Sequence, residues 1–215
     1  MDYGKSFTFV FEDKNWISKL AIGVLVTLVP IINFATYGYM IQIVKNVRDG
    51  QEEPLPEWDD FGKYFIDGLK FLAGYLVYFI PVILLSIALI PVAIVADSGG
   101  VVEDAIAVAM MCISCLIIII AFVPLLLYPG LYIQYAKDDQ ISDMFDLAEI
   151  WDLFKADSAN YTIILLMVFF VLGFLASFGV LLCVIGVFFT AWWAQLVAAH
   201  MIGQLARPQE KPATF

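Results

Sequence analysis

Four stretches of this chain contain no Asp, Glu, Lys or Arg: Leu20–Val44, Phe71–Ala96, Ala105–Ala136 and Ser158–Ala206. They limit what it can fold into more than any other feature. A helix rises about 1.5 Å per residue, so about 20 apolar residues cross the hydrocarbon of a bilayer. Each of the first three stretches suffices for one crossing. The fourth is long enough for two, and the glycines and small residues between Ser177 and Gly186 are where it is expected to fold back. Composition agrees, since 62% of the residues are hydrophobic and 15% charged. A soluble domain has roughly 45–50% and about 25%, so the surplus apolar surface has to face lipid. These numbers exclude a disordered chain, a coiled coil and a disulfide-stapled module. The net charge of -10 excludes a general nucleic-acid binder, which needs a basic footprint.

The expectation is an all-α polytopic bundle of about five spans, a single membrane domain over 1–215 in the cell membrane. Residues 1–18 read as an interfacial segment, with Phe7, Phe9, Phe11 and Trp16 at the boundary. They lack the apolar core and cleavage site of a signal peptide, so retention is expected. Lys45, Arg48, Lys63 and Lys70 follow the first stretch, Lys137 and Lys155 the third, and Arg207 and Lys211 the last, while the Asp97–Asp104 loop has no cation. Basic loops stay inside, so those three segments are cytoplasmic. Five crossings then leave Lys5, Lys14 and Lys19 outside, against the rule. A wedge that enters, turns at Pro30 and Asn33 and returns removes the conflict, at the cost of arms too short to cross.

The chain also repeats itself. Gly38-Tyr-Met-Ile-Gln42-Ile-Val-Lys45 matches Gly130-Leu-Tyr-Ile-Gln134-Tyr-Ala-Lys137, and each follows a Val-Pro pair. Downstream, Trp58-Asp59-Asp60-Phe61 matches Trp151-Asp152-Leu153-Phe154, and Ala191-Trp-Trp-Ala-Gln195 is a fainter third copy. The reading is a parallel repeat, with a first copy over 19–96, a second over 104–178, a last span over 180–206 and a tail over 207–215. Each cytoplasmic loop has an apolar helical stripe: Trp58, Phe61, Phe65 and Leu69 in the first, and Ile141, Phe145, Ala148, Trp151 and Phe154 in the second. Two amphipathic helices lying along the membrane are expected. Trp16, Trp58, Phe61, Trp151 and Phe154 are the candidate interfacial anchors. The second helix carries Asp143, Asp146, Glu149 and Asp152, a polar face not suited to anionic lipid; it reads as the solvated face of a helix held by its flanking spans, with docking of a basic protein partner as the alternative.

The runs Trp16-Ile-Ser-Lys-Leu-Ala-Ile-Gly23, Pro54-Leu-Pro-Glu-Trp58-Asp-Asp-Phe-Gly-Lys-Tyr-Phe-Ile-Asp67-Gly68-Leu-Lys70 and Ala199-His200-Met-Ile-Gly203-Gln204 together resemble a prokaryotic multi-pass membrane family known as domain of unknown function 4013. The similarity extends over nearly the whole chain, and the Pro-Glu-Trp-Asp-Asp run is its most specific part. The resemblance implies a membrane protein and brings no catalytic residues with it.

Polar side chains within apolar spans are the default functional suspects. Gln42, Gln134 and Gln195 hold equivalent repeat positions and are expected at a common depth near the inner boundary. There they either line a polar constriction or act as helix-joining groups. His200 is the only histidine, so a multi-histidine metal site is excluded; near a helix end, helix dipole and water favour a packing or interfacial role. Cys112, Cys115 and Cys183 read as buried, reduced thiols. No phosphate-cradling loop, metalloprotease helix or nucleophile elbow occurs, so no catalytic, cofactor or metal residue is expected. The function expected is a non-catalytic scaffold, membrane-organising protein or accessory subunit, with a small-solute transporter or channel as the alternative.

Overall fold

An apolar segment in lipid has no water to satisfy its backbone and must bond to itself, which favours helix. The computed structural model describes residues 1–96, 103–177 and 183–208, and it has helices and no strand among them. In chain order these are α1 (Tyr3–Glu12), α2 (Trp16–Leu28), α3 (Phe34–Arg48), α4 (Phe61–Val77), α5 (Ile80–Ala96) and α6 (Glu103–Asp138). A 3₁₀ turn over Ile141–Phe145 leads to α7 (Leu147–Ala156) and α8 (Ser158–Leu166). A π-helical segment over Met167–Leu172 then joins α8 to α9 (Gly173–Ser177), and α10 is Cys183–Leu205.

Two helical stretches are long and apolar enough to cross a membrane, Ile106–Asp138 and Ser158–Leu175, and α4 with α5 makes a third if that pair, bent by 50°, is one span. This is the pattern of a membrane protein. The stretch Leu20–Val44, expected either as one span or as a wedge turning at Pro30 and Asn33, is two helices of 13 and 15 residues. The break has a local cause. A residue before proline is pushed out of the α region. Val29 accordingly sits extended at φ -95° and ψ 113°, ending α2 at Leu28. Ile31 then takes φ 76° to turn the chain. The expected turn between Ser177 and Gly186 falls largely on residues 178–182, and most of the Asp97–Asp104 loop on 97–102; both lie outside the described residues.

By internal packing the chain divides into two units, Met1–Ala73 with Pro129–Phe215, and Gly74–Tyr128. The first is organised on α10, which packs against α1, α2, α3, α8, the π segment and α9. Its core is aromatic. Fully buried Tyr39 stacks on Trp58 with ring centroids 4.2 Å apart, meets Trp192 at 5.7 Å, and donates its hydroxyl to the Pro56 carbonyl at 2.7 Å. Phe71 packs on Tyr132 at 4.3 Å. The second unit has the reverse character. Leu76, Ile83, Leu84 and Ile87 on one stretch, and Met111, Ile118, Ile119 and Leu126 on the other, all lie exposed. An apolar helix surface without cover is stable in lipid and costly in water.

Of the two expected surface helices, the first is absent as a separate helix and the second is α-helical only from Leu147. Over the first loop no separate helix forms, because α4 begins at Phe61 and runs on to Val77. Trp58 precedes it and is half-buried against Tyr39, with its Nε1–H donating to the Lys19 carbonyl at 3.0 Å. In the second loop α7 does form, capped by Asp146, whose side chain accepts from the Glu149 N–H. There Trp151 is 58% exposed and stacks on Phe154 at 5.2 Å, so the two tryptophans paired by the repeat have different surroundings. Asp146, Glu149 and Asp152 are exposed and Asp143 is half-buried.

Helices α3 and α4 cross at glycines. A Cβ added to Gly38 would stand 2.0 Å from the Tyr64 carbonyl oxygen, and one on Gly68 would stand 1.8 Å from that of Phe34. Neither obstacle is a side chain that can rotate away, so the helices themselves would have to part. Gly68→Val is therefore expected to lower the melting temperature of the detergent-solubilised protein by several degrees, an overpacking cost of about 1–3 kcal/mol or more. Gly62→Ala, where nothing lies within 4 Å, should leave it unchanged.

Candidate functional site

Buried polar side chains need partners, and two clusters in the first unit find them by joining segments distant in sequence. His200 is 2% exposed on α10 and stacks on Phe9 of α1 at 4.3 Å. Its Nδ1 lies 2.9 Å from Ser6 Oγ and 3.1 Å from Gln204 Nε2. The proton positions follow from the backbone. Gln204 Oε1 accepts from the Asp2 N–H at 2.7 Å, so Nε2 is the donor end, and it also donates to the Asp2 carbonyl at 2.8 Å. A donor facing Nδ1 makes Nδ1 the acceptor, and the neutral ring then carries its proton on Nε2. His200 therefore lies deeper than a solvated helix-end imidazole, with Ser6 and Gln204 in the place of water. Ser6 itself is fully buried, so the serine–histidine contact gives a substrate no route to Oγ.

A second cluster surrounds Lys19, which is 5% exposed. Its ammonium lies 2.6 Å from Asp13, 2.8 Å from Glu57 and 2.9 Å from the Leu55 carbonyl. Burial pulls its pKa down, but the hydrogen bonds and charges of Asp13 and Glu57 outweigh that and hold it above the ordinary value. The start of α2 is thereby fastened to the loop that follows α3. Neither cluster was predicted from sequence. The His200–Gln204 spacing of one helical turn was the only local sign; Ser6, Asp13 and Glu57 join through tertiary contacts alone.

The three glutamines do not converge. Gln42 donates to Asn46 Oδ1 at 2.8 Å and accepts from Lys63 at 3.3 Å, while Asn46 holds the Pro54 carbonyl at 2.9 Å. This is a chain of bonds fixing the loop after α3. Gln134 is 1% exposed, with Oε1 unpartnered among the described residues. It lines a cleft of about 390 Å³ together with Lys137, Glu149 and Arg207. Gln195 is half-buried on α10 and lines neither this cleft nor the larger one beside His200. Two contacts join the helices that carry the glutamines: Tyr39 meets Trp192, and Tyr132 donates to Met40 Sδ at 3.8 Å. Both are pairs of positions that the repeat aligns.

Of the anchors, Trp16 and Phe61 are half-buried, as is Phe154; Trp16 packs edge-on against Phe11 at 5.1 Å. Cys112 and Cys115 are unpaired and exposed on α6, against the expectation of burial. On a helix that is apolar all round, lipid gives a thiol the same low-polarity surroundings as a core.

Fold and site together define an all-helical membrane protein whose buried polar groups join helices. The model of the family described as protein of unknown function (DUF4013) matches residues 21–200, and the chain belongs to that family. Comparisons with curated proteins and with solved structures find no match.

Removing one partner of a buried ion pair leaves the other uncompensated, which costs about 3–5 kcal/mol. Lys19→Met is expected to destabilise the solubilised protein by that order. Asp13→Asn combined with Lys19→Met should recover a large part of the loss. A thermal-unfolding cycle over the two single variants and the double measures it, and additive losses would show that the pair is not coupled.

Proposed function

We propose that this protein is a non-catalytic, membrane-organising scaffold that inserts α2 and α3 into one leaflet as a wedge. The observation that carries this reading is the hairpin itself. At 13 residues, α2 is about 20 Å long, against roughly 30 Å of hydrocarbon. Leu28, Val29 and Ile31 at its turn are 45%, 46% and 67% exposed, an apolar tip suited to acyl chains. The two ends of the hairpin are held together by the Lys19 contacts to Leu55 and Glu57. At the same end of the unit, beside the end of α3, α1 packs against the C-terminal part of α10 through Asp2, Ser6 and Phe9. These contacts favour an even number of crossings, with α1 and the end of α10 on one side. In that arrangement Lys5, Lys14 and Lys19 join the other cations inside, and the conflict with the positive-inside rule disappears.

The protein is then a multi-pass cell-membrane protein with fewer crossings than five, built on a parallel repeat whose copies α3, the end of α6 and α10 run in the same direction. The acidic surface of α7, with Trp151 beside it, is the face offered to a basic protein partner. A solute pathway is disfavoured, because the glutamines that motivated it are engaged or dispersed and the charged residues of the candidate spans are confined to their ends, Lys63, Asp67 and Lys70 before Phe71 in α4 and Lys137 and Asp138 at the end of α6.

Topology is tested at Lys14, which is exposed, in a chain with its own cysteines replaced. A membrane-impermeant maleimide should label Lys14→Cys only from the cytoplasmic side, as it labels Gln51→Cys. Labelling from outside would overturn the wedge.

The organising role is tested at the tip. A β-branched residue at positive φ is strained, whereas asparagine tolerates that region and is polar. Ile31→Asn should therefore leave the solubilised fold as stable or slightly more stable. It should also weaken the reduction in vesicle diameter that the wild-type protein is expected to cause at rising protein-to-lipid ratio. Vesicle size independent of wild-type protein content would remove the organising role.

A further inference from the structure

A cleft of about 680 Å³ opens beside the His200 cluster, where the starts of α1 and α8 approach the ends of α3 and α10. Two carboxylates and two side-chain cations line it, so their formal charges cancel. Their engagement differs. Asp2 caps α1, accepting from the Lys5 N–H at 2.9 Å. Asp157 caps α8, accepting from the backbone and side-chain nitrogens of Asn160 at 3.2 and 2.7 Å. Lys5 and Arg207, both exposed, make no ion pair among the described residues. Arg207 uses only Nε, donating to the Val47 carbonyl at 2.8 Å, which turns the base of its guanidinium toward α3.

An enclosed imidazole also lines the cleft: His200 is 98% enclosed, with Nδ1 held as acceptor by Gln204 and its ring proton therefore on Nε2. The cleft thus presents two cations without an ion pair among the described residues, beside two helix-capping carboxylates and a neutral imidazole. A ligand that matches this has several oxygen acceptors and negative charge in a compact group. A carboxylate offers two oxygens in one plane; a phosphate offers oxygens in three directions, toward two cations and the ring beside them.

We propose that this cleft is a phosphate-binding site, with Lys5 and Arg207 holding the oxygens beside the His200 ring. The phosphate has two possible sources, a phospholipid headgroup at the membrane boundary or a soluble phosphate compound. The recognition chemistry is the same for both.

His200 is the only histidine in the sequence, so the imidazole of the full, tag-free chain gives a single assignable nitrogen pair by NMR. The protein in neutral detergent is titrated separately with phosphatidylglycerol, with inorganic phosphate and with diacylglycerol as a phosphate-free lipid, at matched ionic strength. The Nε2 resonance is expected to move with a phosphate-bearing probe and to stay still with diacylglycerol. Movement with phosphatidylglycerol alone assigns the site to a lipid headgroup. Movement with inorganic phosphate as well assigns it to phosphate itself. Near a membrane surface each cation is worth roughly fivefold in affinity, so Lys5→Gln should weaken binding about fivefold and Lys5→Gln with Arg207→Gln about thirtyfold. Lys14→Gln, on a residue outside the cleft, should not change it. Two results each overturn the proposal: a resonance that responds to neither phosphate probe, or an affinity unchanged in both Lys5 variants while their chromatographic profile stays native.

Discussion

A lysine taken out of water must be surrounded by groups that replace its hydration, and Lys19 draws them from three parts of the chain. Asp13 comes from the joint between α1 and α2, and Leu55 and Glu57 come from the loop after α3. Trp58 closes the same corner, donating to the Lys19 carbonyl while stacking on Tyr39. Without this junction the hairpin would be two short apolar helices free to separate. With it, the ends of α2 and α3 are fixed together, and α10 can pack against both. The aromatic core continues from that corner, from Trp58 through Tyr39 to Trp192.

The sequence indicated helix and lipid clearly because both depend on local quantities. Charge-free length and side-chain polarity need no knowledge of the fold. The match between Gly38-to-Lys45 and Gly130-to-Lys137 was legible for the same reason; it aligns the positions of two contacts, Tyr39 with Trp192 and Tyr132 with Met40, while Trp58 and Trp151, which it also aligns, have different surroundings. What was misjudged depends on tertiary placement. Apolar length alone cannot separate one long helix from two short ones, and here Pro30 decides, by forcing Val29 out of the helix. Trp58 looked like a surface anchor because its apolar neighbours follow helical spacing; it is instead half-buried under Tyr39.

Polar groups were the least legible. Gln42, Gln134 and Gln195 drew attention as conspicuous amides in apolar helices, yet the densest polar junction belongs to Ser6, His200 and Gln204. Ser6 is an ordinary residue in an ordinary segment, and nothing near it in sequence announces a partner. In a membrane protein the energetic weight of such groups lies in leaving none of them unpaired. A polar residue is therefore informative only once its partners are known.

That junction also bears on how the chain is made. Asp2 and Gln204 are 202 residues apart, so α1 leaves the ribosome long before its partner exists. Contacts of such separation form late and slow the search for the folded state. Until α10 is synthesised, the Asp2 N–H has only water to bond, and Phe9 has only lipid or water to cover it. The amphiphilic character of α1, with Phe7, Val10 and Phe11 among polar neighbours, suits a helix that waits at the membrane surface. Closing α1 onto α10 is then a final step of assembly, one that can occur only on a chain whose last helix is already in place.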